Sequence, residues 1–299
     1  MTRLLFITLL FLMHSSLSFS QSNEKLTSNF GGVQIGVITY SYRSMPQDLE
    51  SLIQQIKESG INAVELMGDP VELYLGRPKG AEEIKKWRLS ISMDEFKKVK
   101  NKLEKEGIHI YAYKPNLLHK NSTDEEVEFA MRSAKALGAT SVTTELMVND
   151  PQHSERLGRI AAKYKMYVGY HNHLQGNDLA WNTALDQNKY NSVNLDCGHY
   201  IAAGGNNTVQ SLLAYIENNH KRISSIHMKD RKSKANGADN LKWGQGDTPI
   251  KEILLLLKNK KYNIPVTIEL EYKIPEGSNA VQEVKACKEF AKEILLQTQ

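Results

Sequence analysis

Short apolar runs and helix-spaced segments alternate along this chain, and that alternation restricts its fold more than any other feature. Residues 33–38 are mostly apolar and β-branched, as a buried strand requires. Residues 48–59 carry Leu49, Leu52, Ile53 and Ile56 at helical spacing, and Gly60 ends them. The pair then recurs. Further strands are expected at 61–66, 108–113, 141–145, 166–170, 193–196, 223–227 and 266–271. Further helices are expected at 93–106, 123–137, 154–163, 183–187, 209–218, 248–258 and 280–296. Thr123 with Glu126 forms a capping box, and Gly138 stops the same helix. The stretch between the second strand and Met93 reads as a polar insertion. Eight strand–helix units with no linker between them predict a single closed (β/α)8 barrel. A doubly wound open sheet is the alternative. Its usual Gly-rich turn after the first strand is replaced here by Thr39-Tyr40-Ser41-Tyr42.

The first twenty residues belong to a different class of sequence. Arg3 precedes an apolar run at 4–13, and small, mostly polar residues follow at 15–20. This is the layout of a secretory signal peptide, with Ser18 and Ser20 fitting the small-x-small rule before Gln21. The run is ten residues long, whereas a spanning helix needs ~20. The expected organisation is a signal peptide over 1–20 and one barrel domain over 21–299. The mature protein is expected in the periplasm or outside the cell, free of the membrane after cleavage.

Several function classes drop out on composition. Thirty-eight Lys and Arg against 34 Asp and Glu leave a net charge of +4 over 299 residues, too little to argue for a nucleic-acid partner. Two cysteines, Cys197 and Cys287, supply neither a disulfide scaffold nor a cysteine-built zinc site. No P-loop, G-x-S-x-G elbow or H-E-x-x-H is present.

The charged residues fall where barrel chemistry falls, at the C-terminal ends of the strands. Strand four ends in Glu145, and strand five runs into Tyr170-His171-Asn172-His173. Strand six ends in Asp196-Cys197-Gly198-His199, strand seven in His227-Met228-Lys229-Asp230, and strand eight carries Glu269 and Glu271. Each alone has a plain explanation, such as a turn cap, a satisfied core histidine or a solvated strand end. Five in succession point to one shared site. Carboxylates gathered at the end of a buried barrel need cationic partners or a metal. Three carboxylates with one imidazole suit Mn²⁺, Mg²⁺, Co²⁺ or Zn²⁺, with Mn²⁺ the first choice. His14, His109, His119, His153 and His220 lack such placement and read as structural or surface residues.

Glu145, Asp196 with His199 three residues on, His227 within His-Met-Lys-Asp, and the last-strand glutamate together resemble the xylose-isomerase-like TIM-barrel superfamily, the sugar phosphate isomerase/epimerase family. The Tyr170–His173 segment and the Trp243-Gly244-Gln245-Gly246-Asp247 turn are similar to members of it, and the resemblance runs from about Val33 to the C-terminus. It implies one divalent cation held by Glu145, Asp196, His227 and Glu269, with Glu271 the alternative last ligand on the same strand face. Glu145 and Glu269 would be the acid–base pair. His199, His173, Lys229 and His171 would line the substrate pocket. The insertion at 72–87 and the loop at 40–43 match no epimerase pocket.

The chemistry implied is removal of a proton next to a metal-polarised carbonyl. Epimerisation, isomerisation and β-elimination share that first step. Export favours an unphosphorylated sugar or keto-sugar, so the expected activity is a sugar isomerase or epimerase. The alternatives are a 3-keto-glycoside lyase or dehydratase, a non-catalytic sugar-binding barrel, and a metal-dependent endonuclease, which the charge and export signal disfavour. The sequence leaves a homo-oligomer open.

Overall fold

The computed structural model describes residues 27–297. The expected signal peptide at 1–20 lies outside the described residues. Eight parallel strands form a closed barrel: β1 (Val33–Ile38), β2 (Ala63–Met67), β3 (His109–Lys114), β4 (Ser141–Glu145), β5 (Tyr167–His171), β6 (Asn191–Asp196), β7 (Ile223–Met228) and β8 (Val266–Ile268). Each pairs with its neighbours in chain order. β8 closes the ring on β1 through Val266↔Ile35 and Ile268↔Val37. Helices follow the strands and cover the outside.

Alternation along the strands divides the molecule into two chemistries. Ile35, Val37, Val64, Leu66, Val193, Leu195, Ile226 and Ile268 belong to the apolar core between barrel and helices. The other face points inward and is polar. Asn194 donates to Ser225 Oγ at 2.7 Å, and Tyr111 and Thr267 share a 2.7 Å hydroxyl bond across the barrel. Tyr111 fits because Gly36 faces it: a Cβ there would lie 2.6 Å from the tyrosine ring. A polar barrel interior supports a polar site at its mouth.

Local signals explain most element ends. The Thr123/Glu126 capping box is formed, and Gly138 ends that helix in the left-handed region at φ 83°. A second capping box, Asn279 with Gln282, opens the final helix Ala280–Leu296.

Three elements differ from expectation. The insertion after β2 holds two helices, Gly68–Tyr74 and Ala81–Ser90. They are tied together by buried Glu72, which meets Arg77 at 3.1 Å and Arg88 at 2.9 Å. β8 ends at Ile268, three residues early, so Glu269 and Glu271 stand on the loop beyond it. A short helix, Cys197–Ala203, follows β6 at once, because Asp196 turns its side chain back to accept from the His199 N–H at 2.6 Å. Both cysteines are free and buried. No helix among the described residues is long and apolar enough to cross a membrane.

Candidate active site

The barrel mouth gathers carboxylates, imidazoles and lysines from six strands. At its centre lies His227, fully buried between two acids: Nδ1 is 2.9 Å from Glu269 Oε2 and Nε2 is 2.8 Å from Glu65 Oε2. Burial alone would lower the pKa of this imidazole. The two carboxylates outweigh burial and raise it to about 10, so His227 is an imidazolium here.

Lys229, two residues on and on the same face, places Nζ 3.0 Å from Asp196 Oδ2 and 2.8 Å from both Glu269 Oε2 and Glu271 Oε2. Burial opposes its charge, and the three carboxylates more than restore it. None of these contacts is aligned as a hydrogen bond: Lys229 Nζ and Asp196 Oδ2 are both left without a partner. Burial pushes the Asp196 carboxyl up, whereas Lys229 and His227 hold Glu269 well below the usual carboxylate range.

His171 completes the centre. Asn194 directs its NH₂ to Ser225, so its Oδ1 accepts from His171 Nδ1 at 2.7 Å. The His171 lone pair is therefore on Nε2, which faces Asp196 Oδ2 at 3.9 Å. Burial, aided by nearby His227, Lys114 and Lys229, pushes this histidine well below its ordinary value and keeps it neutral. Donor atoms of His171, Asp196, His227 and Glu269 all lie within 4.8 Å of one another.

This set fits a divalent cation once His227 gives up a proton to it, as an imidazole must to ligate a metal. Carboxylate oxygens and imidazole nitrogens are the right donors, and Asp196 Oδ2 lacks a hydrogen-bond partner. Around the centre, Glu65, Asp196, Glu269 and Glu271 face the two cations His227 and Lys229, a formal surplus of two negative charges.

The remaining expected residues surround this centre. Glu145 is not among the four clustered donors; its Oε1 accepts from Lys114 at 2.9 Å, and its Oε2 lies 3.4 Å from His173 Nε2 with no hydrogen-bond partner. His173 is exposed, with its ring 4.8 Å from that of His199. His199 Nδ1 accepts from Arg231 at 2.6 Å, which leaves the proton on Nε2, 3.7 Å from Glu271 Oε2. Burial drives the His199 pKa down to about 3, so it is a neutral donor beside Glu271.

Glu65, Lys114, Asn194 and Arg231 were not among the expected site residues. Glu65 carried a readable signal, a lone acid inside the apolar run Ala63-Val64-Glu65-Leu66. The Trp243–Asp247 turn is also explained. Its Gly244, Gln245 and Gly246 N–H groups all donate to Asp230 Oδ2, at 2.8, 3.0 and 2.9 Å. The turn thereby fixes the segment that carries Arg231, whose carbonyl accepts from the Asp247 N–H at 2.8 Å.

The family model for xylose isomerase-like TIM barrels matches residues 53–290. The chain belongs to that family. No curated protein gives a significant match. Among solved structures, the probable 3-DHS dehydratase AsbF of Bacillus anthracis superposes with a TM-score of 0.65 at 15% identity, covering 89% of this chain and 100% of its own. The IolI protein with a bound zinc atom also gives 0.65 at 15% identity, over 88% and 98% of the two chains. D-psicose 3-epimerase with D-tagatose, from Clostridium cellulolyticum H10, gives 0.63 at 13% identity over 88% and 99%. At these identities the likeness is one of fold.

Proposed function

We propose that the protein is a divalent-metal-dependent sugar isomerase or epimerase that removes the proton next to a carbonyl of an unphosphorylated sugar or keto-sugar. The observation that carries this reading is the four-donor cluster His171, Asp196, His227 and Glu269, with its surplus negative charge, at the mouth of the barrel. The family's range supports it, since relatives of the same fold include a dehydratase and an epimerase.

Asp196, Glu269 and His227, which would release one proton to solvent on binding, would hold the cation, with His171 Nε2 as a fourth donor from the centre or Glu145 from the rim. When bound, the cation polarises the substrate carbonyl and acidifies the adjacent C–H. Glu145 Oε2 has no hydrogen-bond donor of its own and takes that proton. Lys114 on the other oxygen fixes the carboxylate's orientation. Glu269, engaged by His227 and Lys229, is suited first to ligation and second to proton return from the opposite side. His199 donates Nε2–H to a substrate oxygen, while His173 and Lys229 line the pocket. Residues 1–20 direct export, and the mature domain begins at Gln21, where sugar phosphates are scarce.

A second reading shares the first step. Loss of a β-substituent after proton removal makes the protein a 3-keto-glycoside lyase, and a cavity of about 420 Å³ lined in part by Glu145 and Lys114 leaves room for that substituent.

Two measurements test the proposal. In deuterated buffer with Mn²⁺, NMR of a keto-sugar panel should show deuterium at the carbon next to the carbonyl. Glu145→Gln should slow that exchange by about 10²–10⁴-fold. Turnover without label, and with Glu145→Gln still active, sinks the mechanism. For export, intact mass of the protein from a periplasmic fraction should correspond to a chain starting at Gln21; a cytoplasmic product starting at Met1 contradicts it.

A further inference from the structure

Glu65 lies in the middle of β2, fully buried, and is not one of the four clustered donors. Its Oε2 is 2.8 Å from His227 Nε2. Among the described residues, no other cationic group comes within 4 Å of a Glu65 oxygen. The same Oε2 takes a longer contact, 3.4 Å, from Asn194 Nδ2, which also donates to Ser225 Oγ at 2.7 Å. Asn194 and Ser225 pair with each other two residues before Asp196 and His227 on β6 and β7. Two residues back on the same strand face is one layer deeper in the barrel. Glu65 thus joins His227 to the layer beneath the mouth.

The two nitrogens of His227 have different surroundings. Nδ1 is 2.9 Å from Glu269 Oε2, and Glu269 shares Lys229 with Asp196 and Glu271. Nε2 has Glu65. An imidazole ligates a metal through one bare nitrogen and keeps its N–H on the other. If Nδ1 is bare, Glu269 still has Lys229 at 2.8 Å. If Nε2 is bare, Glu65 keeps only the long Asn194 contact and no cation within 4 Å. Leaving a fully buried carboxylate without its paired charge is strongly destabilising. The arrangement therefore favours the N–H on Nε2 and the bare nitrogen on the side of the ligand carboxylates.

We infer that Glu65 is a positioning residue: by accepting from His227 Nε2–H it makes Nδ1 the ligating atom and fixes the ring for the cation. Metal-bound histidines characteristically donate their second N–H in this way, which orients the ring and raises its basicity. His171 is set in the opposite sense, since its Nδ1–H goes to Asn194 and leaves Nε2 bare. The two histidines of the cluster thus offer opposite nitrogens. This rests on the reading of the barrel mouth as a metal site.

The test reads the ring and the affinity, not turnover. The mature full chain with ¹⁵N-labelled histidine is loaded with Zn²⁺, a diamagnetic probe, and long-range ¹H–¹⁵N NMR identifies the protonated nitrogen of each ring, with His227→Gln supplying the assignment. Zn²⁺-bound His227 should carry one proton, on Nε2. Competition with a chelating dye gives the Zn²⁺ affinity. Glu65→Leu should bind about 10–100-fold more weakly. Glu65→Gln keeps an acceptor of the same reach, so it should retain the Nε2 proton and bind with an affinity between those of Glu65→Leu and the parent. The parent and Glu65→Gln spectra decide the case in which Glu65→Leu does not fold. The inference is overturned if bound His227 carries its proton on Nδ1, if Glu65→Gln loses the Nε2 proton, or if folded Glu65→Leu binds Zn²⁺ within about twofold of the parent; each of these leaves the metal reading standing. A parent that binds no Zn²⁺ removes the metal reading and this inference with it.

Discussion

Arg231 shows how one residue can set the chemistry of another. Its guanidinium donates to His199 Nδ1 at 2.6 Å and to the Ala238 carbonyl, and so fixes which nitrogen of His199 carries the proton. Without it, the neutral ring is free to put the proton on either nitrogen. Arg231→Ala should therefore convert a single Nε2–H tautomer into a mixture, visible in the long-range ¹H–¹⁵N NMR spectrum of the histidines. Substrate affinity should fall by about 5–30-fold, the value of one hydrogen bond of 1–2 kcal/mol. An unchanged tautomer in a folded Arg231→Ala protein would show that Arg231 does not position His199. Lys229 illustrates a different point. It supplies positive charge where three carboxylates converge, yet makes no aligned hydrogen bond there. An ammonium in that position neutralises charge without satisfying the oxygens, which is why the donor set still suits a metal.

At the scale of elements, the barrel was legible because its strands have an apolar outer face and sit between strong helix signals. The capping box at Thr123 and the stop at Gly138 needed only four and one residues to read. The helix Ala81–Ser90 was not legible, for a physical reason: it has no buried residue, so its pattern carries no amphipathic period. It is joined to the fold by Arg88 and buried Glu72, a contact sixteen residues apart that no local window contains. Within the site, Asp196, His227 and Glu269 could be read from their strand ends and do meet in one cluster. Glu65 could not be found that way, because it lies inside β2 rather than at its end. The loop after β8 illustrates how such segments are held. Glu283, 4% exposed in the first turn of the last helix, accepts from Tyr272, Ser278 and Lys242. Burial would raise its pKa, but these three donors outweigh it and hold the carboxyl below its ordinary value. A depressed carboxylate stabilises the fold above its unfolded pKa and loses that contribution as pH falls through the folded value. Glu283→Gln should thus cost about 1–3 kcal/mol at neutral pH, and the deficit should shrink as pH falls below about 5. Urea melts at pH 7 and near pH 4 check this; a deficit independent of pH would assign the loss to packing instead.

For the whole molecule, the donor set links stability to the metal, because His171, Asp196 and His227 come from β5, β6 and β7 and Glu269 from the loop after β8. One cation would clamp half of the barrel, and only the folded barrel brings these atoms within 4.8 Å. A ligand that binds the native state alone stabilises it by RT ln(1 + [L]/Kd), about 2.7 kcal/mol at a hundredfold excess over Kd. Each kcal/mol moves Tm by roughly 2–4 °C for a domain of this size, so Mn²⁺ at that excess should raise Tm by about 5–10 °C over protein treated with chelator. Removing Asp196 takes away one ligand and one negative charge, so Asp196→Ala should abolish the shift while the metal-free form still unfolds cooperatively. Lys229 should respond in the opposite sense. With it replaced by methionine, the metal-free protein loses the ammonium that now separates Asp196, Glu269 and Glu271, and should melt lower than the metal-free parent. Added Mn²⁺ then restores the missing charge, and its shift should exceed that of the parent. Differential scanning calorimetry of the three proteins, with chelator and with Mn²⁺, reads both effects in one series. A full metal-induced shift in Asp196→Ala, or a shift in Lys229→Met no larger than in the parent, would show that these residues do not share one cation site.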